Sequence, residues 1–445
     1  MQKNRKKIAV YSTTAVLCLL IAAPPIIALL FISEYGVDVP FADQWGGFVT
    51  GKNGTLKNFL NGTLTLENLF HRHVVHRIFF PRIAMLTLSI ITGYNVVMEM
   101  YFSMLMLTSA LALIFMAYRK EFSQSKLALL AFIPISMILF SLAQQRNLLL
   151  GFQVLLYMCY SAAIASFYFL RKCEKPVDFT LAIAFGVIAS FSLISGLNVW
   201  PIGVLQILLS KAKNKLRISL IWGASGIISG LIYFNGWMKP KNYPPMTYSL
   251  EHPIESISFL VANIGAPFSP TSFTIASIAG VLMLAAIGFL AYMAIQKRTS
   301  INSFWLALIG FSLLSILETT AGRTFFGVEY ALTSRYATVT SIGLIGIYAI
   351  FLKHRLDSKI NSIVFWALLL MIIIGYTGAL FYGIEQGQIT KEKRSVMAEA
   401  LLNYKNLTDE EIVQSEIHPN AKYVREGAKI LEENCMSVFT CGDNK

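Results

Sequence analysis

The feature that most constrains this chain is a series of long apolar runs that contain few or no charged residues. The first run extends from Ile8 to Ser33, about 26 residues. An α-helix rises about 1.5 Å per residue, so a run of this length can cross a hydrocarbon core of roughly 30 Å. The sequence therefore predicts a chain that folds in a lipid bilayer.

The composition of the whole chain agrees with this prediction. Of 445 residues, 55% are hydrophobic and 14% are charged, whereas soluble domains carry about 25% charged residues. The apolar runs predict an all-α polytopic bundle of about eleven transmembrane helices. The predicted spans are 8–33, 96–118, 127–142, 149–170, 179–195, 198–210, 216–237, 272–296, 301–317, 337–352 and 361–383.

The first run differs from a cleavable signal peptide. A basic cluster precedes it, formed by Lys3, Arg5, Lys6 and Lys7. The apolar stretch, however, exceeds the usual length of about 7–15 residues, and no small-residue cleavage site closes it. We therefore expect a retained first helix.

The basic residues predict the orientation of the bundle. They gather in connections that all fall on the side of the N-terminus, near 119–126, 171–175, 211–217, 297–298 and 353–359. Because basic residues favour the cytoplasmic face, the N-terminus is predicted inside and the C-terminus outside. The formal net charge of +13 is accordingly assigned to contact with anionic membrane lipid, and no nucleic-acid partner is predicted.

Two further apolar segments are predicted to lie along the outer membrane surface. If residues 79–93 crossed the membrane, every later connection would change sides and most basic connections would lie outside. The segment is also short and carries Arg82. We therefore predict an interfacial helix at 79–93 and an interfacial or re-entrant segment at 253–268.

These assignments divide the chain into two predicted domains. The transmembrane domain covers 1–383 and includes the first outer loop, 34–95. An outer, or periplasmic, helical tail covers 384–445.

The predicted tail has local helix signals of its own. Thr408 and Glu411 form a T-x-x-E capping box, which is typical of a helix start. A second helix is predicted from Ala421 to Glu433. Cys435 and Cys441 follow it, and an oxidising compartment would permit a disulfide there.

The first outer loop contains the residues that point to chemistry. They are Asp38 and Asp43 in YGVDVPFADQW, and His73, His76, Arg77 and Arg82 in HRHVVHRIFFPR. A carboxylate at this position can act as a general base on a hydroxyl, and a basic cluster can bind and stabilise a leaving lipid phosphate. The alternative is structural, because Arg and His anchor helices to headgroups and Asp in a loop caps helices.

A second charged loop, ETTAGRTFFGVEYALTSRYATVT, precedes a predicted span. Its Arg323 and Arg335 suit a phosphate or diphosphate, because the forked guanidinium donors match phosphate oxygens. The alternative is a pair between an arginine and Glu318 or Glu329 that locks two helices together.

Several function classes lack their sequence signals. The chain has no Walker A sequence, no G-x-S-x-G and no H-E-x-x-H. His71, His73 and His76 suggest zinc, but no cysteine or second carboxylate is spaced to complete a tetrahedral site. We therefore predict no metal and no other cofactor.

The layout of these residues resembles the GT-C class of membrane glycosyltransferases, which use polyprenyl-phosphate sugars. In that class an acidic pair follows the first helix, and here Asp43-Gln44 stands in that position, with HRIFFPRIAMLTLSIITGYN after it. More closely, DVPFADQW, HRHVVHRIFFPR and GRTFFGVEYALTSRY resemble bacterial proteins related to surface-polysaccharide glucosyltransferases, which decorate lipopolysaccharide O-antigen. The chain departs from the class in having Gln44 where Glu is commoner and no Lys in the basic position.

The resemblance implies a multi-pass enzyme of the bacterial inner membrane with a periplasmic active site. It implies an inverting transfer of a glucose-like hexose from a polyprenyl-phosphate donor to a polysaccharide or lipopolysaccharide acceptor. Asp43 would be the general base, with Asp38 as the next choice. The donor phosphate would be bound by His73, His76, Arg77, Arg82, Arg323 and Arg335.

Two other functions fit a chain of this kind. An O-antigen polymerase or ligase also has about a dozen helices and arginine-rich outer loops, but usually places its large loop late in the chain. A transporter or flippase for a lipid-linked sugar would carry charged or polar residues along the bundle interior, and few are found there.

Overall fold

The computed structural model describes residues 2–122, 126–238, 245, 247–296, 302–357 and 362–440. In chain order the α-helices are α1 (Gln2–Tyr35), α2 (Thr55–Leu60), α3 (Leu66–Phe70), α4 (Phe79–Thr92), α5 (Val96–Glu121), α6 (Lys126–Leu130), α7 (Ile133–Leu139), α8 (Gln145–Leu148), α9 (Val154–Leu170), α10 (Pro176–Ser190), α11 (Val199–Leu209), α12 (Lys215–Phe234), α13 (Tyr248–Glu251), α14 (Pro253–Gly265), α15 (Phe273–Ile295), α16 (Ser303–Arg323), α17 (Ser334–Leu356), α18 (Ser362–Leu402), α19 (Asp409–Gln414) and α20 (Ala421–Glu433). The strands within this part of the chain are β1 (Arg72–His73) and β2 (His76–Arg77). Short 3-10 or π-helical turns occur at Trp45–Val49, Leu142–Gln144, Gly151–Gln153, Ile194–Asn198, Thr324–Phe326 and Val328–Leu332.

Nine helical segments of the described chain are long and apolar enough to cross a membrane, by length and composition. They are Thr13–Tyr35, Val96–Glu121, Lys126–Leu148, Gly151–Leu170, Lys215–Phe234, Phe273–Met293, Ser303–Phe326, Ser334–Leu356 and Ile363–Leu402. Each overlaps one predicted span, so the predicted all-α polytopic class is confirmed. The two other predicted spans, 179–195 and 198–210, coincide with shorter apolar helices, Pro176–Ser190 and Ile194–Leu209.

One end of the bundle gathers several of the basic connections, and the Arg171 guanidinium lies 5.6 Å from the Phe304 ring centroid there. The predicted basic connection at 297–298 lies outside the described residues. The Glu174 carboxylate accepts a hydrogen bond from the Lys213 backbone N–H at 2.9 Å. The Glu121 carboxylate accepts from Asn302 Nδ2 at 2.8 Å and from Trp305 Nε1 at 2.6 Å. Connections that are far apart in sequence therefore meet at this end, which we call the basic end.

The opposite end gathers the first loop and the other predicted outer segments. The Ile194 N–H donates to His76 Nδ1 at 3.4 Å, and Arg77 donates to the Asn235 carbonyl. Ser249 Oγ donates to the Thr320 carbonyl at 3.3 Å. We call this the loop end.

The C-terminal tail packs onto the first loop at the loop end. The Ala42 N–H donates to the Ile417 carbonyl at 3.4 Å, and the Ser437 N–H donates to the Gly93 carbonyl at 2.9 Å. At Gly427 of α20, an added Cβ would lie 2.5 Å from the Trp45 ring. This helix therefore needs glycine to approach the loop so closely.

The tail also keeps the helix signals read from the sequence. The Thr408–Glu411 capping box is present, and α20 has the predicted bounds, so both predictions are confirmed. The predicted boundary at 383/384 falls inside α18, which is continuous to Leu402. The tail therefore leaves the bundle as an extension of the last apolar helix. Cys435 is disulfide-bonded, while Cys441 lies outside the described residues.

The two predicted surface segments form helices. The first is α4, and the residue that caps its C-terminus, Gly93, has the left-handed conformation (φ +64°). The second is α14, which begins with Pro253 at its first position. Their placement at a membrane surface stays a prediction.

Candidate functional site

The site begins with a short hairpin in the first loop. Strands β1 and β2 pair antiparallel, with His73 opposite His76 and Arg72 opposite Arg77. Opposed residues in such a ladder point to the same face, so the hairpin presents its two histidines side by side. The turn between them needs a left-handed residue, and Val74 supplies it at φ +53°.

Asp43 lies against this histidine face. Its Oδ1 is 3.6 Å from His73 Nε2, and its side chain is 64% exposed whereas that of His73 is 14% exposed. The hydrogen bond with His73 lowers the pKa of Asp43 below its ordinary value of 3.8. Partial burial opposes this effect, and electrostatic interactions with Arg335 and His418 add to it. At neutral pH the site therefore contains an ionised, accessible carboxylate.

His76 has a different environment from its hairpin partner. Burial, followed by the charges of His73 and Arg323, lowers the pKa of His76 to about 3. The ring is therefore neutral at neutral pH. Because the Ile194 N–H donates to Nδ1, we assign the ring proton to Nε2, which makes that nitrogen a donor.

The second predicted loop supplies two arginines to the same place. The positive charges of Arg323 and Arg335 both act on His76, and Arg335 also acts on Asp43. The Arg323 guanidinium lies 5.7 Å from the Phe326 ring centroid. Arg335 makes no ion pair with Glu318 or Glu329 in the described part of the chain, and its Nε has no hydrogen-bond partner there.

Two predicted phosphate-binding arginines are engaged in backbone contacts. Arg77 Nε donates to the Tyr233 carbonyl at 2.6 Å and its Nη1 to the Phe70 carbonyl at 2.8 Å. Arg82 is 2% exposed, and its Nη1 donates to the carbonyls of Asn68, Leu69 and His71. These contacts hold the first loop in place, so we leave both arginines out of the proposed phosphate site.

Asp38, the alternative base, lies apart from Asp43. Its Oδ1 accepts from the Val96 N–H at 2.7 Å, at the first residue of α5, and from Ser437 Oγ at 3.4 Å. Burial raises the pKa of Asp38. The carboxylate thus caps a helix N-terminus, where negative charge is favourable, and joins that helix to the tail.

Three basic residues of this region were not predicted from the sequence. His418 comes from the tail and acts on Asp43. Arg394 of α18 lies 3.9 Å from the Phe41 ring centroid. Arg146 follows two buried glutamines, Gln144 and Gln145. The run QQRN between two apolar runs was an available signal for Arg146, whereas no local signal marks His418 or Arg394.

The described residues form no group of three or more His, Cys, Asp or Glu suited to a metal ion. Two apolar grooves lie between the helices, and Phe268 and Leu344 line both. The groove nearer α18 also includes Tyr376. No residue of α4 lines either groove.

The site thus combines one accessible carboxylate with histidine and arginine side chains from the first loop, the bundle and the tail. Comparison of the chain with protein-family models, curated proteins and solved structures finds no match.

Proposed function

We propose that this protein is an integral-membrane glycosyltransferase that transfers a sugar from a polyprenyl-phosphate donor to an acceptor such as lipopolysaccharide O-antigen. The observation that supports this most is the position of Asp43. It is an ionised, exposed carboxylate that faces His73 within a field of cations at the loop end. A base beside a cationic site suits the attack of a hydroxyl on a phosphate-activated sugar.

In the proposed reaction Asp43 accepts the proton of the acceptor hydroxyl. The hydroxyl oxygen forms the new bond to the anomeric carbon while the bond from that carbon to the phosphate oxygen breaks. The electron pair leaves with the lipid phosphate, and the configuration inverts because the attack is direct. A positioned general base contributes about 10²- to 10⁴-fold to such a step.

The leaving phosphate acquires negative charge, and the cations around Asp43 are arranged to receive it. Arg335 and Arg323 provide guanidinium donors, and neutral His76 provides its Nε2–H. His73 holds Asp43 in its ionised form, so we treat it as a positioning residue. Besides Asp43, this assignment keeps four of the predicted site residues, His73, His76, Arg323 and Arg335. It leaves out Arg77 and Arg82.

We further propose eleven crossings of a bacterial inner membrane, with the N-terminus inside and the site on the periplasmic side. Support comes from α10 and α11, whose connections lie alternately at the two ends of the bundle through Glu174–Lys213 and His76–Ile194. If α10 and α11 did not cross the membrane, nine crossings would remain. Because nine is also an odd number, the two termini would still lie on opposite sides. The basic end, placed inside, agrees with the preference of basic residues for the cytoplasmic face.

The deciding experiment is Asp43→Asn in cells, with Asp409→Asn as the matched control. Asp409 is an exposed tail carboxylate paired with Arg425 at 2.7 Å. We expect Asp43→Asn to remove one hexose-sized mass increment from surface polysaccharide at normal protein abundance, and the control to leave it in place. Unchanged polysaccharide in the Asp43 variant at normal abundance would exclude Asp43 as the base.

A further inference from the structure

Three arginines from three separate elements lie in one electrostatic cluster, and one of them, Arg335, also acts on Asp43. Arg335 is the second residue of α17, Arg146 lies in α8, and Arg394 lies in α18. The charge of Arg146 acts on both of the others. We call these residues the arginine triad.

The guanidinium groups of the triad have few hydrogen-bond or ion-pair partners within the protein. None of its members forms an ion pair within the described ranges. Arg394 is 7% exposed, and its buried Nη1 has no hydrogen-bond partner among the described residues, like Nε of Arg335. Buried donors of this kind are costly, and like charges raise the cost.

A buried polar network fixes two members of the triad, Arg146 and Arg335, relative to each other. Thr338 Oγ1 donates to Gln144 Oε1 at 2.8 Å, and Asn147 Nδ2 donates to Thr338 Oγ1 at 3.0 Å. The Arg146 N–H donates to Ser334 Oγ at 3.2 Å. These bonds join the segment that carries Arg146 to the start of α17, so the two arginines cannot move apart freely.

A rigid set of guanidinium groups with unused donors matches the oxygens of a phosphate. We propose that Arg146, Arg335 and Arg394 bind the phosphate of the lipid-linked donor. The inference rests on the proposed function for the identity of that lipid. Its position agrees with the reaction, because Arg394 packs on Phe41, two residues before the proposed base.

The test measures binding to the full-length protein in nanodiscs of zwitterionic lipid. The probes are a polyprenyl phosphate, inorganic phosphate and phosphatidylglycerol. Arg146→Gln and Arg394→Gln are compared with Arg217→Gln, an exposed arginine near the basic end. Arg394→Lys retains the charge without the forked donors, and a melting curve for each variant establishes that it is folded.

We expect each triad variant that folds to bind the polyprenyl phosphate about tenfold more weakly or worse, since each loses a charge-assisted hydrogen bond. Arg217→Gln should bind like the wild type. Weak competition by inorganic phosphate would agree with a phosphate site. Equal competition by phosphatidylglycerol, or unchanged binding by folded Arg146→Gln and Arg394→Gln, would overturn the assignment.

Asp43→Asn separates this inference from the proposed function. If this variant loses sugar transfer but binds the lipid, while the triad variants bind poorly, both proposals stand. If Asp43→Asn transfers sugar normally and the triad variants bind poorly, the proposed base fails and the phosphate site stands. If Asp43→Asn is inactive and the triad variants bind normally, only the phosphate site fails.

Discussion

The loop end contains two groups of arginines that look alike in sequence and differ in their surroundings. Arg77 and Arg82 direct their N–H groups at backbone carbonyls of the first loop and its neighbours. Arg335 and Arg394 each contain a donor nitrogen without a partner in the described part of the chain. Nε of Arg82 also lacks a partner there, but its Nη1 is held by three carbonyls. The first group is therefore anchored to the backbone, whereas no hydrogen bond within the described residues anchors the guanidinium groups of the second.

The difference teaches that position in a basic cluster does not identify a binding residue. Arg77 and Arg82 lie in the basic stretch of the first loop, HRHVVHRIFFPR. Burying a guanidinium costs free energy unless its donors are satisfied, and three carbonyls accept from Nη1 of Arg82. A cation that stays unsatisfied at the same end of the bundle is the better candidate for binding an anion.

The sharpest way to break this comparison is Arg82→Met. The change leaves three carbonyls of the α3 region without their donor, and each buried unsatisfied group costs about 1–3 kcal/mol. We expect the free energy of unfolding to fall by about 3 kcal/mol or more, with a clear loss of protein abundance. Arg72→Met is the control at the same hairpin. Normal abundance and a normal melting temperature for Arg82→Met would show that this arginine is not structural.

Arg335→Gln should give the opposite pattern. It removes a donor that no described carbonyl uses, so the free energy of unfolding should stay within about 0.5 kcal/mol of the wild type. Sugar transfer should fall by about 10- to 100-fold, because a charge-assisted hydrogen bond to the phosphate is lost. Both quantities can be measured on the same purified sample. If the variant lost stability in proportion to its loss of activity, Arg335 would be a structural residue like Arg82.

The smallest expected effect concerns pH. The pKa of Asp43 is held below 3.8, mainly by His73, so the carboxylate is ionised above that pKa and its activity is lost only as the pH falls through it. In His73→Gln the pKa of Asp43 should rise, and the acid limb of the pH–activity profile should move to higher pH. His252→Gln serves as the control. An unchanged acid limb would show that His73 does not control the pKa of Asp43.

The sequence predicts much of this architecture because membrane insertion is governed by local composition. Every long apolar run reappears as a helix, and the capping box at Thr408 is present because its two hydrogen bonds join residues three positions apart. The hairpin that pairs His73 with His76 follows no strong local signal, since each strand has only two residues and its turn lacks glycine.

By itself, the sequence determined the all-α polytopic class, the basic connections and the presence of acidic and basic residues in the first loop. Only the tertiary structure decided which of those residues meet. It directed Arg77 and Arg82 to carbonyls and Asp38 to a helix N-terminus. It also packed Arg394 on Phe41, brought Arg146 near Arg335, and brought His418 toward Asp43. The physical reason is that a side chain's hydrogen-bond partners depend on packing between distant segments, whereas hydrophobic length is a property of each segment alone.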